Sequence, residues 1–523
     1  MGLSSSTPDC CFGRNVLKDA HSIDHVIHLS TGGRIRGKDL ELGVDNATGG
    51  GQKYILELAT QQSSHPAFRN VHIFTRRFEG LAEEYAVPQE IVNSKLDIVR
   101  VCIGPKDYVR KEDLYPFGEE TFKRLSEYLA TLLSKDRQLP RIVLHAHYGN
   151  AGYFGAKAAE AFGLPLIFTS HSLGRVKQQQ EGLRGRLKLL MARAAHAEHK
   201  LNDIVGVVAE EATQHMQMIM EKSLKERIHS EECALAQASI ITALSQNEID
   251  CQYSKYPTFR KDGAFVLQPG VQLERFYPPP PDFFQEDAVT EMEVTYLSGA
   301  LLDTARPPVL AIARASANKN LHGLVHAFAH AGLQSTHNLV IVMGTWTSLE
   351  EMDWKRRAVF ETVFSDIQSC DLKGSAVVLR GKWDNATLMP LLYRWAAARK
   401  GVFANPSFRE LFGLTTLEAA ASGLPVLAGA NGGPRDVIGR LKNGVLCEHV
   451  GDIDALAQSL KEATASQESW ERWSTSGIER VKFFSWKGHV ARYLNCLQER
   501  IPGYADLPRD DSALEILRGA DSG

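Results

Sequence analysis

With 523 residues, of which 44% are hydrophobic and 23% charged, the chain is long enough for two or three domains of an ordinary globular protein. A formal net charge of −3 argues against a general nucleic-acid binder, and no apolar run approaches the roughly 18 residues that a membrane-spanning helix needs. The eight cysteines show no Cys-x-x-Cys spacing, so we expect neither a zinc site nor a disulfide framework, and a reducing, cytoplasmic setting.

The N-terminal residues MGLSSSTPDCC match a short myristoylation pattern at Gly2 and Ser6. This pattern is too permissive to predict lipidation, and no hydrophobic segment of a cleaved secretory signal follows it. We expect a flexible N-terminus over residues 1–23.

The first half of the chain alternates strand-like runs, such as HVIHLS and RIVLHAH, with helical stretches such as GYFGAKAAEAFG. This alternation predicts a parallel sheet covered by helices on both faces. From Gly174 to Gln246 the sequence becomes charged and helical, and its middle, about Ala192 to Met220, is predicted as additional helix.

Four consecutive prolines, Pro278 to Pro281, then interrupt the pattern, which is typical of a linker because proline continues neither a helix nor a central strand. The weakly patterned residues 282–306 are predicted to be an irregular insertion. A second alternation begins at PPVLAIAR and continues through NLVIVMG, SAVVLRG, GVFAN and LPVLAG, so we expect a second α/β domain.

The stretch from Gly401 to Pro434 is the most informative part of the chain. A strand, GVFAN, runs into a loop that carries Glu410, and a helix closed by Gly423 carries Glu418. Ligands of open α/β sheets bind at the carboxyl ends of strands, where carboxylates can accept hydrogen bonds from sugar hydroxyls and helix N–H groups can face a diphosphate. An isolated glutamate pair at this spacing is more often two solvated surface residues.

The phrases E-L-F-G-L-T-T-L-E-A, G-L-P-V and N-G-G-P in this stretch resemble the Glu-x7-Glu signature of retaining GT-B glycosyltransferases, and most of all that of sucrose-phosphate synthases. Leu411 stands where those enzymes usually carry proline. The resemblance covers about Asp24 to Arg500 and implies the GT-B fold, in which two doubly wound Rossmann-like domains face a central cleft.

The resemblance also implies the domain limits. They are an acceptor-side domain over 24–275, a linker and insertion over 276–306, a nucleotide-sugar domain over 307–484, a helix over 485–502 that crosses back to the first domain, and a flexible tail over 503–523.

Arg314 and Lys319, in ARASANKN, follow a predicted strand and could neutralise a leaving diphosphate, although an arginine and a lysine on a loop are more often solvated. The resemblance implies that both bind the diphosphate, that Glu410 contacts the transferred sugar and that Glu418 binds the ribose. The donor-binding residues implied in full are Gly49, Gly50, Arg314, Lys319, Glu410, Gly413, Leu414 and Glu418.

His171 ends a predicted strand in IFTSHSLGRVK, where a neutral imidazole could hydrogen-bond a sugar hydroxyl; taken alone, it is more often a structural histidine. The resemblance adds it to Arg314, Lys319 and Glu410 as a catalytic residue. His145 and His147 match the H-x-H-Y element of the family and are predicted to shape the site. With no carboxylate or cysteine spaced to complete a ligand set, we expect no metal site.

The Gly-rich segment DNATGGGQKYILEL opens a helix, an arrangement that lets the backbone approach an anion. The family phrase is D-T-G-G-Q-x-K-Y. Gly49 and Gly50 match it, whereas Ala47 replaces the aspartate and Gly51 stands where glutamine is expected, with Gln52 one place later.

In the family, several basic side chains bind the phosphate of fructose 6-phosphate, and this chain has basic residues at the aligned positions. They would distinguish a phosphorylated acceptor from free fructose, because a phosphomonoester needs several fixed cations. The acceptor-binding residues implied are Gly49, Gly50, Lys111, Ser172, Lys177 and Arg227.

The chain is therefore interpreted as a hexosyltransferase that moves glucose from UDP-glucose to fructose 6-phosphate, giving sucrose 6-phosphate and UDP. We expect that no cofactor is required, that Mg²⁺ is at most stimulatory, and that a separate sucrose-phosphate phosphatase is a plausible partner. A mannosylfructose-phosphate or sucrose synthase type of transferase stays open, as does a non-catalytic sugar-phosphate-binding relative, for which the altered Gly-rich segment is the best argument.

Overall fold

The computed structural model describes residues 22–38, 40–41, 48–134, 139–179, 221–344, 348–381, 383 and 386–508. Four features of the sequence analysis lie wholly or mostly outside these ranges: the N-terminal pattern, Ala47, the predicted additional helix from Ala192 to Met220 and the predicted tail beyond residue 508.

The first domain is built on an eight-stranded sheet with the order β3-β4-β2-β1-β5-β6-β7-β8, in which only β3 runs antiparallel. Its central strands are buried apolar runs, as a parallel sheet covered on both faces requires. The strands are β1 (Ile23–Leu29), β2 (Phe68–Arg76), β3 (Gln89–Ile91), β4 (Leu96–Val101), β5 (Ile142–His147), β6 (Leu166–Thr169), β7 (Ile240–Ala243) and β8 (Ala264–Val266).

The second domain is built on a six-stranded, wholly parallel sheet with the order β11-β10-β9-β12-β13-β14. The order reverses between β9 and β12, which is the switch point where ligands of such sheets bind. The strands are β9 (Pro308–Ile312), β10 (Asn338–Val342), β11 (Ala376–Leu379), β12 (Val402–Asn405), β13 (Val426–Gly429) and β14 (Gly444–Cys447).

Helices cover both sheets, so the predicted α/β fold with two doubly wound domains is confirmed. Besides the helical residues 221–237, the helices are α1 (Gly50–Ser63), α2 (Gly118–Ser134), α3 (Tyr148–Phe162), α4 (Gln246–Cys251), α5 (Asp287–Met292), α6 (Leu321–His330), α7 (Trp354–Ser369), α8 (Leu388–Ala398), α9 (Leu414–Ala421), α10 (Gly433–Leu441), α11 (Ile453–Ala463), α12 (Gln467–Arg480) and α13 (Trp486–Arg500). Among the described helices, none combines the length and apolarity that a membrane crossing requires.

The prediction of an irregular insertion over residues 282–306 is wrong in part. The segment forms a short 3-10 turn, α5 and a π-helical turn over Glu293–Leu297. Its apolar side chains Phe283, Val289, Met292 and Leu297 are buried and pack into the main hydrophobic core. Their irregular spacing, with a π turn replacing part of the helix, hides the helical period from sequence reading.

Helix α13 packs against the first domain although it follows the second in the chain. Trp486 Nε1 donates a hydrogen bond of 3.2 Å to Glu57 on α1, and His489 Nδ1 lies 2.8 Å from the Gln268 carbonyl oxygen. Buried side chains of α1, α13 and the second domain belong to one continuous hydrophobic cluster, which sets the two domains against each other.

Candidate active site

Glu410 and Lys319 meet at the carboxyl edge of the second sheet. Lys319 ends the 3-10 turn Ala317–Lys319 after β9, and its ammonium forms an ion pair with the carboxylate of Glu410, which follows β12. Burial is the largest single effect and would raise the pKa of Glu410, but the charge and hydrogen bond of Lys319, together with the Asn405 side chain and the Arg314 charge, outweigh it. The pKa is therefore lowered and the carboxylate is ionised at neutral pH. The neighbouring strands β9 and β12 thus place an anion and a cation side by side.

Backbone contacts hold these two loops in position. The amide of Phe408 donates a 2.9 Å hydrogen bond to the Asn318 carbonyl oxygen, and the Asn318 side chain donates one of 2.8 Å to the Arg409 carbonyl oxygen. Gly432, at φ +114, lies so close to the Glu410 backbone that a Cβ there would overlap its carbonyl oxygen. The Asn-Gly-Gly-Pro phrase is therefore the close partner of the Glu410 loop.

Glu418 lies just over one turn into α9 and is held by residues from both domains. Its carboxylate forms a buried ion pair with Lys53 of α1 and accepts a 3.1 Å hydrogen bond from the Tyr393 hydroxyl. Glu57 stands 3.9 Å from the Lys53 ammonium, and burial raises the pKa of Glu57 to about 7. A buried group of two carboxylates and one ammonium thus joins the two domains at the predicted ribose site.

The Gly-rich loop, residues 48–51, faces the second domain. A Cβ added at Gly49 would lie 3.5 Å from the Arg314 guanidinium, and one at Gly50 would lie 3.9 Å from Leu414 at the start of α9. The structure therefore brings five of the predicted donor residues into one region: Gly49, Gly50, Arg314, Gly413 and Leu414. Gly413 is the N-cap of α9, beside Glu410.

The departures from the family phrase in this loop have local causes. A Cβ at Gly51 would overlap the hydroxyl of Tyr148, so a larger residue there would require the tyrosine ring to move. Gln52 is fully buried, accepts a 2.9 Å hydrogen bond from the Gly49 amide and donates one of 2.8 Å to the Gly32 carbonyl. Gln52 is therefore committed to shaping the loop.

His171 is the end of a chain of hydrogen-bonded side chains, which we call the histidine relay: Gln62, His28, His147 and His171. Gln62 Oε1 lies 2.6 Å from His28 Nε2, His28 Nδ1 lies 3.0 Å from His147 Nε2, and His147 Nδ1 lies 2.9 Å from His171 Nε2. All four side chains are buried. The relay crosses the neighbouring strands β1 and β5 and ends after β6.

The relay consists of neutral imidazoles. Burial lowers the pKa of His28 to about 4 and lowers that of His147 well below its usual range. Burial and the nearby Lys111 charge together lower the pKa of His171 to about 3. A neutral imidazole has one N–H and one lone pair, so all links must point the same way. With the Gln62 oxygen at one end, His28, His147 and His171 each donate from Nε2, and His171 Nδ1 is left as an acceptor.

Two residues of this region have backbone conformations that side chains other than glycine seldom adopt. Tyr148 has φ 70 and His171 has φ 51, and their rings lie 4.8 Å apart. Such conformations are costly and cluster at functional sites. Lys111 lies 5.3 Å from the Tyr148 ring, and the charges of Arg314 and Arg227 also act on its hydroxyl, against the burial that raises its pKa. Tyr148 is thus central to the site.

The predicted acceptor residues lie in different electrostatic settings. Arg227 is buried, pairs with Glu231 at 2.8 Å and donates a 2.8 Å hydrogen bond to the Ser172 hydroxyl, so much of its charge is already balanced. Lys177 is half-buried in the helical segment that follows Ser172. The charge of Lys111 acts on His171 and helps to lower its pKa.

Sequence reasoning missed four residues that the structure places in the site: Lys53, Tyr148, His28 and Gln62. Lys53 belongs to the family phrase D-T-G-G-Q-x-K-Y and Tyr148 to H-x-H-Y, so both carried a signal. His28 carried none by itself. His28 belongs to the site because β1 pairs with β5 in a register that sets His28 beside His145.

The structure brings His28, His145 and His147 close enough to hold a metal ion, with one ligand nitrogen of each within 4.8 Å of the others. Several of those nitrogens already serve the relay, and His145 Nε2 lies 2.8 Å from the Thr169 hydroxyl. The expectation of no metal at this site stays a prediction.

Two protein-family models and several sucrose-phosphate synthases match this chain. The glycosyl transferases group 1 family model matches residues 299–480, and the glycosyltransferase family 4 model matches residues 48–218. Sucrose-phosphate synthase of Zea mays is 30% identical over 94% of this chain, and that of Spinacia oleracea is also 30% identical over 94%. The chain has the GT-B fold and is similar to sucrose-phosphate synthases over nearly its whole length.

The GT-B chain spans about half the length of the curated relatives it matches, 49% for both plant synthases. Solved structures agree on its fold. The sucrose-phosphate synthase of Thermosynechococcus elongatus superposes with a TM-score of 0.66 at 21% identity, covering 91% of this chain and 98% of that one. HepE of Anabaena in complex with UDP-glucose gives 0.58 at 15% identity, covering 91% and 99%.

Proposed function

We propose that this GT-B glycosyltransferase moves glucose from UDP-glucose to fructose 6-phosphate, with retention of configuration, to give sucrose 6-phosphate and UDP. The observation that carries the proposal is the Lys319–Glu410 pair at the switch point of the second sheet, beside Arg314. The 30% identity to sucrose-phosphate synthases over 94% of the chain supports these substrates.

Departure of UDP is the difficult step, because negative charge accumulates on the diphosphate as the bond to the sugar breaks. Lys319 and Arg314 are fixed cations on the loop after β9 and would stabilise that charge most in the transition state. Fixed protein cations can replace a divalent ion in this role. We therefore propose that no metal is required and that Mg²⁺ is at most stimulatory.

Glu410 is an ionised carboxylate beside Lys319. In the proposed complex it would accept hydrogen bonds from hydroxyls of the glucose and favour the positive charge that develops on the ring. Glu418, one turn into α9, would accept from the ribose. The backbone amides at Gly413 and Leu414 would face the diphosphate at the start of α9.

His171 would contact the transferred glucose from the first domain. Its Nδ1 lone pair, fixed by the histidine relay, suits a sugar hydroxyl as donor. The acceptor hydroxyl would attack the anomeric carbon on the face from which UDP departs, which retains the configuration. Closure of the two domains would exclude water and prevent hydrolysis of UDP-glucose.

The acceptor phosphate would bind the basic side chains of the first domain. Lys111 and Lys177 are the proposed direct ligands, while Arg227 both contributes charge and holds Ser172 in place. The product would be a sugar phosphate, and a separate phosphatase would be its consumer. The six described cysteines are unpaired, in keeping with a proposed cytoplasmic location.

The proposal is tested by nucleotide release from UDP-glucose, ADP-glucose and GDP-mannose, each with fructose and with fructose 6-phosphate. We expect UDP only with UDP-glucose and fructose 6-phosphate together. The Lys319→Ala variant serves as the blank. GDP release would move the chain to the mannosylfructose-phosphate type, UDP release with free fructose to the sucrose synthase type, and no release in any mixture would favour a non-catalytic relative.

A further inference from the structure

Two neighbouring helices of the second domain present metal-ligand side chains to one another. His322 and His326 are four residues apart on α6, a spacing that puts both imidazoles on the same face of the helix. Asp366 on α7 faces them with both carboxylate oxygens. Helix α6 begins directly after Lys319 and Asn320, but His322, His326 and Asp366 have no part in the proposed glycosyl transfer.

The three side chains converge closely. Asp366 Oδ2 lies 2.6 Å from His322 Nδ1, and Asp366 Oδ1 lies 3.2 Å from His326 Nε2. One ligand atom from each residue lies within 4.8 Å of the other two. The two imidazole rings are 4.6 Å apart at their centroids. An ion placed among these atoms would need only small side-chain rotations to reach bonding distance.

A fourth residue supports one of the ligands. The thiol sulfur of Cys370, at the end of α7, lies 3.5 Å from His326 Nδ1. That contact engages the nitrogen opposite to the one that faces Asp366. Metal-binding histidines usually have their second nitrogen hydrogen-bonded in this way, which fixes the ring and the tautomer.

We propose that His322, His326 and Asp366 form a binding site for a divalent transition metal of the zinc class. Two imidazoles and one carboxylate match the ligands that zinc prefers, whereas Mg²⁺ and Ca²⁺ prefer oxygen ligands throughout. The His322 and His326 side chains are 58% and 34% exposed, so an ion enters from solvent and water completes its coordination. The site does not depend on the proposed function.

The bound ion would crosslink α6 to α7 and stabilise the second domain. If zinc binds the native site more tightly than it binds the histidines and cysteines of the unfolded chain, the melting temperature rises with zinc concentration. A second histidine group, His28, His145 and His147, is a competing location, but it is buried, and every ring nitrogen except His145 Nδ1 is engaged in a hydrogen bond.

The test uses the full chain, stripped of metal with a chelator and titrated with Zn²⁺ by equilibrium dialysis, together with its melting temperature. We expect one Zn²⁺ per chain at this site. The double variant His322→Gln/His326→Gln keeps good helix formers on α6 and should bind Zn²⁺ more than about 100-fold more weakly. His330→Gln is the matched control, because His330 is also exposed on α6 and pairs with Asp454; it should bind as the unaltered chain does.

Substitution with Co²⁺ gives a reading on the unaltered protein, which holds even if a variant folds poorly. We expect the visible absorption of Co²⁺ bound by nitrogen and oxygen ligands, displaced by one equivalent of Zn²⁺. Absence of binding to the unaltered chain would overturn the proposal. So would binding and thermal stabilisation that persist in the folded double variant, since the ion would then lie elsewhere.

Discussion

Lys53 of the first domain and Glu418 of the second form a buried ion pair. The pair connects α1, directly after the Gly-rich loop, with α9, which starts at the carboxyl edge of the second sheet. A ribose bound by Glu418 would have to share the carboxylate with Lys53 and Tyr393. If Glu418 binds the donor ribose as proposed, domain contact and donor binding are linked through this one side chain.

The Lys53–Glu418 pair should show strong coupling in stability. Lys53→Met leaves the Glu418 carboxylate buried without its cation, a change that costs about 3–5 kcal/mol in comparable buried pairs. We expect Lys53→Met and Glu418→Gln each to lower the melting temperature by several degrees, and the double variant to lower it by clearly less than the sum. Lys355→Met, on the exposed surface of α7, is the control. Strictly additive effects would contradict the coupling.

Lys319 is expected to act in the chemical step. Lys319→Ala removes the cation beside Glu410 that would neutralise the departing diphosphate, and loss of one such fixed donor typically lowers kcat by about 100-fold to 1,000-fold. Steady-state UDP release measures the effect, with Lys355→Ala as a matched lysine variant in the same domain. Unchanged kcat in Lys319→Ala would refute the assigned role.

Gln62 is predicted to act on His171 through the histidine relay. Gln62→Leu removes the acceptor that orients His28, so the direction of the relay is no longer fixed, whereas Gln62→Glu preserves an acceptor at that end. We expect kcat to fall about tenfold or more in Gln62→Leu with little change in KM, and to recover in part in Gln62→Glu.

The tautomer of His171 provides a direct readout of the relay. Nitrogen NMR should show the proton on Nε2 in the unaltered chain and in Gln62→Glu, and a mixture in Gln62→Leu. Gln61→Leu, one residue away on α1, is the control. A proton on His171 Nδ1 in the unaltered protein would show that the relay runs in the opposite direction.

Stability should fall as the pH drops below 6.5. The histidines His28, His145, His147, His171 and His489 have pKa values lowered by burial, so the unfolded chain binds protons in this range that the folded chain does not. Stability contributed by such groups is present above the unfolded pKa and is lost towards the folded pKa.

Two buried carboxyl groups act in the opposite sense. Burial raises the pKa of Glu57 to about 7 and that of Glu248 to about 6, so both favour the folded state as the pH falls. Because five buried histidines oppose these two carboxyl groups, the unfolded chain still binds more protons than the folded chain near pH 5.5, and stability falls as the pH drops. Melting temperature measured from pH 7.5 to pH 5 tests this, and a constant value between pH 6.5 and pH 5 would contradict it.

Much of the fold was predictable because its strands are long or flanked by clear turns. The strands β1, β2, β5, β9, β10, β12 and β13 coincide with apolar runs in the sequence. β7 was missed: its four residues, Ile240–Ala243, follow a charged helix without a turn signal. β14, Gly444–Cys447, is equally short and was not predicted either. Short buried runs have no periodicity that separates strand from helix.

The site was predictable where its residues lie within one motif. Lys319 and Glu410 were each proposed from a local phrase, and the structure sets them together. Lys53 and Glu418 are 365 positions apart, so only the packing of the two domains reveals their pairing. His28 likewise depends on the register of β1 against β5. Such contacts are properties of tertiary structure and leave no local pattern.

The most direct test of the proposed function is identification of the reaction product. UDP-glucose labelled with ¹³C in the sugar is incubated with fructose 6-phosphate and the product is examined by NMR and mass spectrometry, with the Lys319→Ala variant as the blank. We expect a disaccharide monophosphate with the α configuration at the labelled anomeric carbon, which yields sucrose after phosphatase treatment. Three results would contradict the proposed function: free labelled glucose as the sole product, a β linkage, or a disaccharide formed equally well from unphosphorylated fructose.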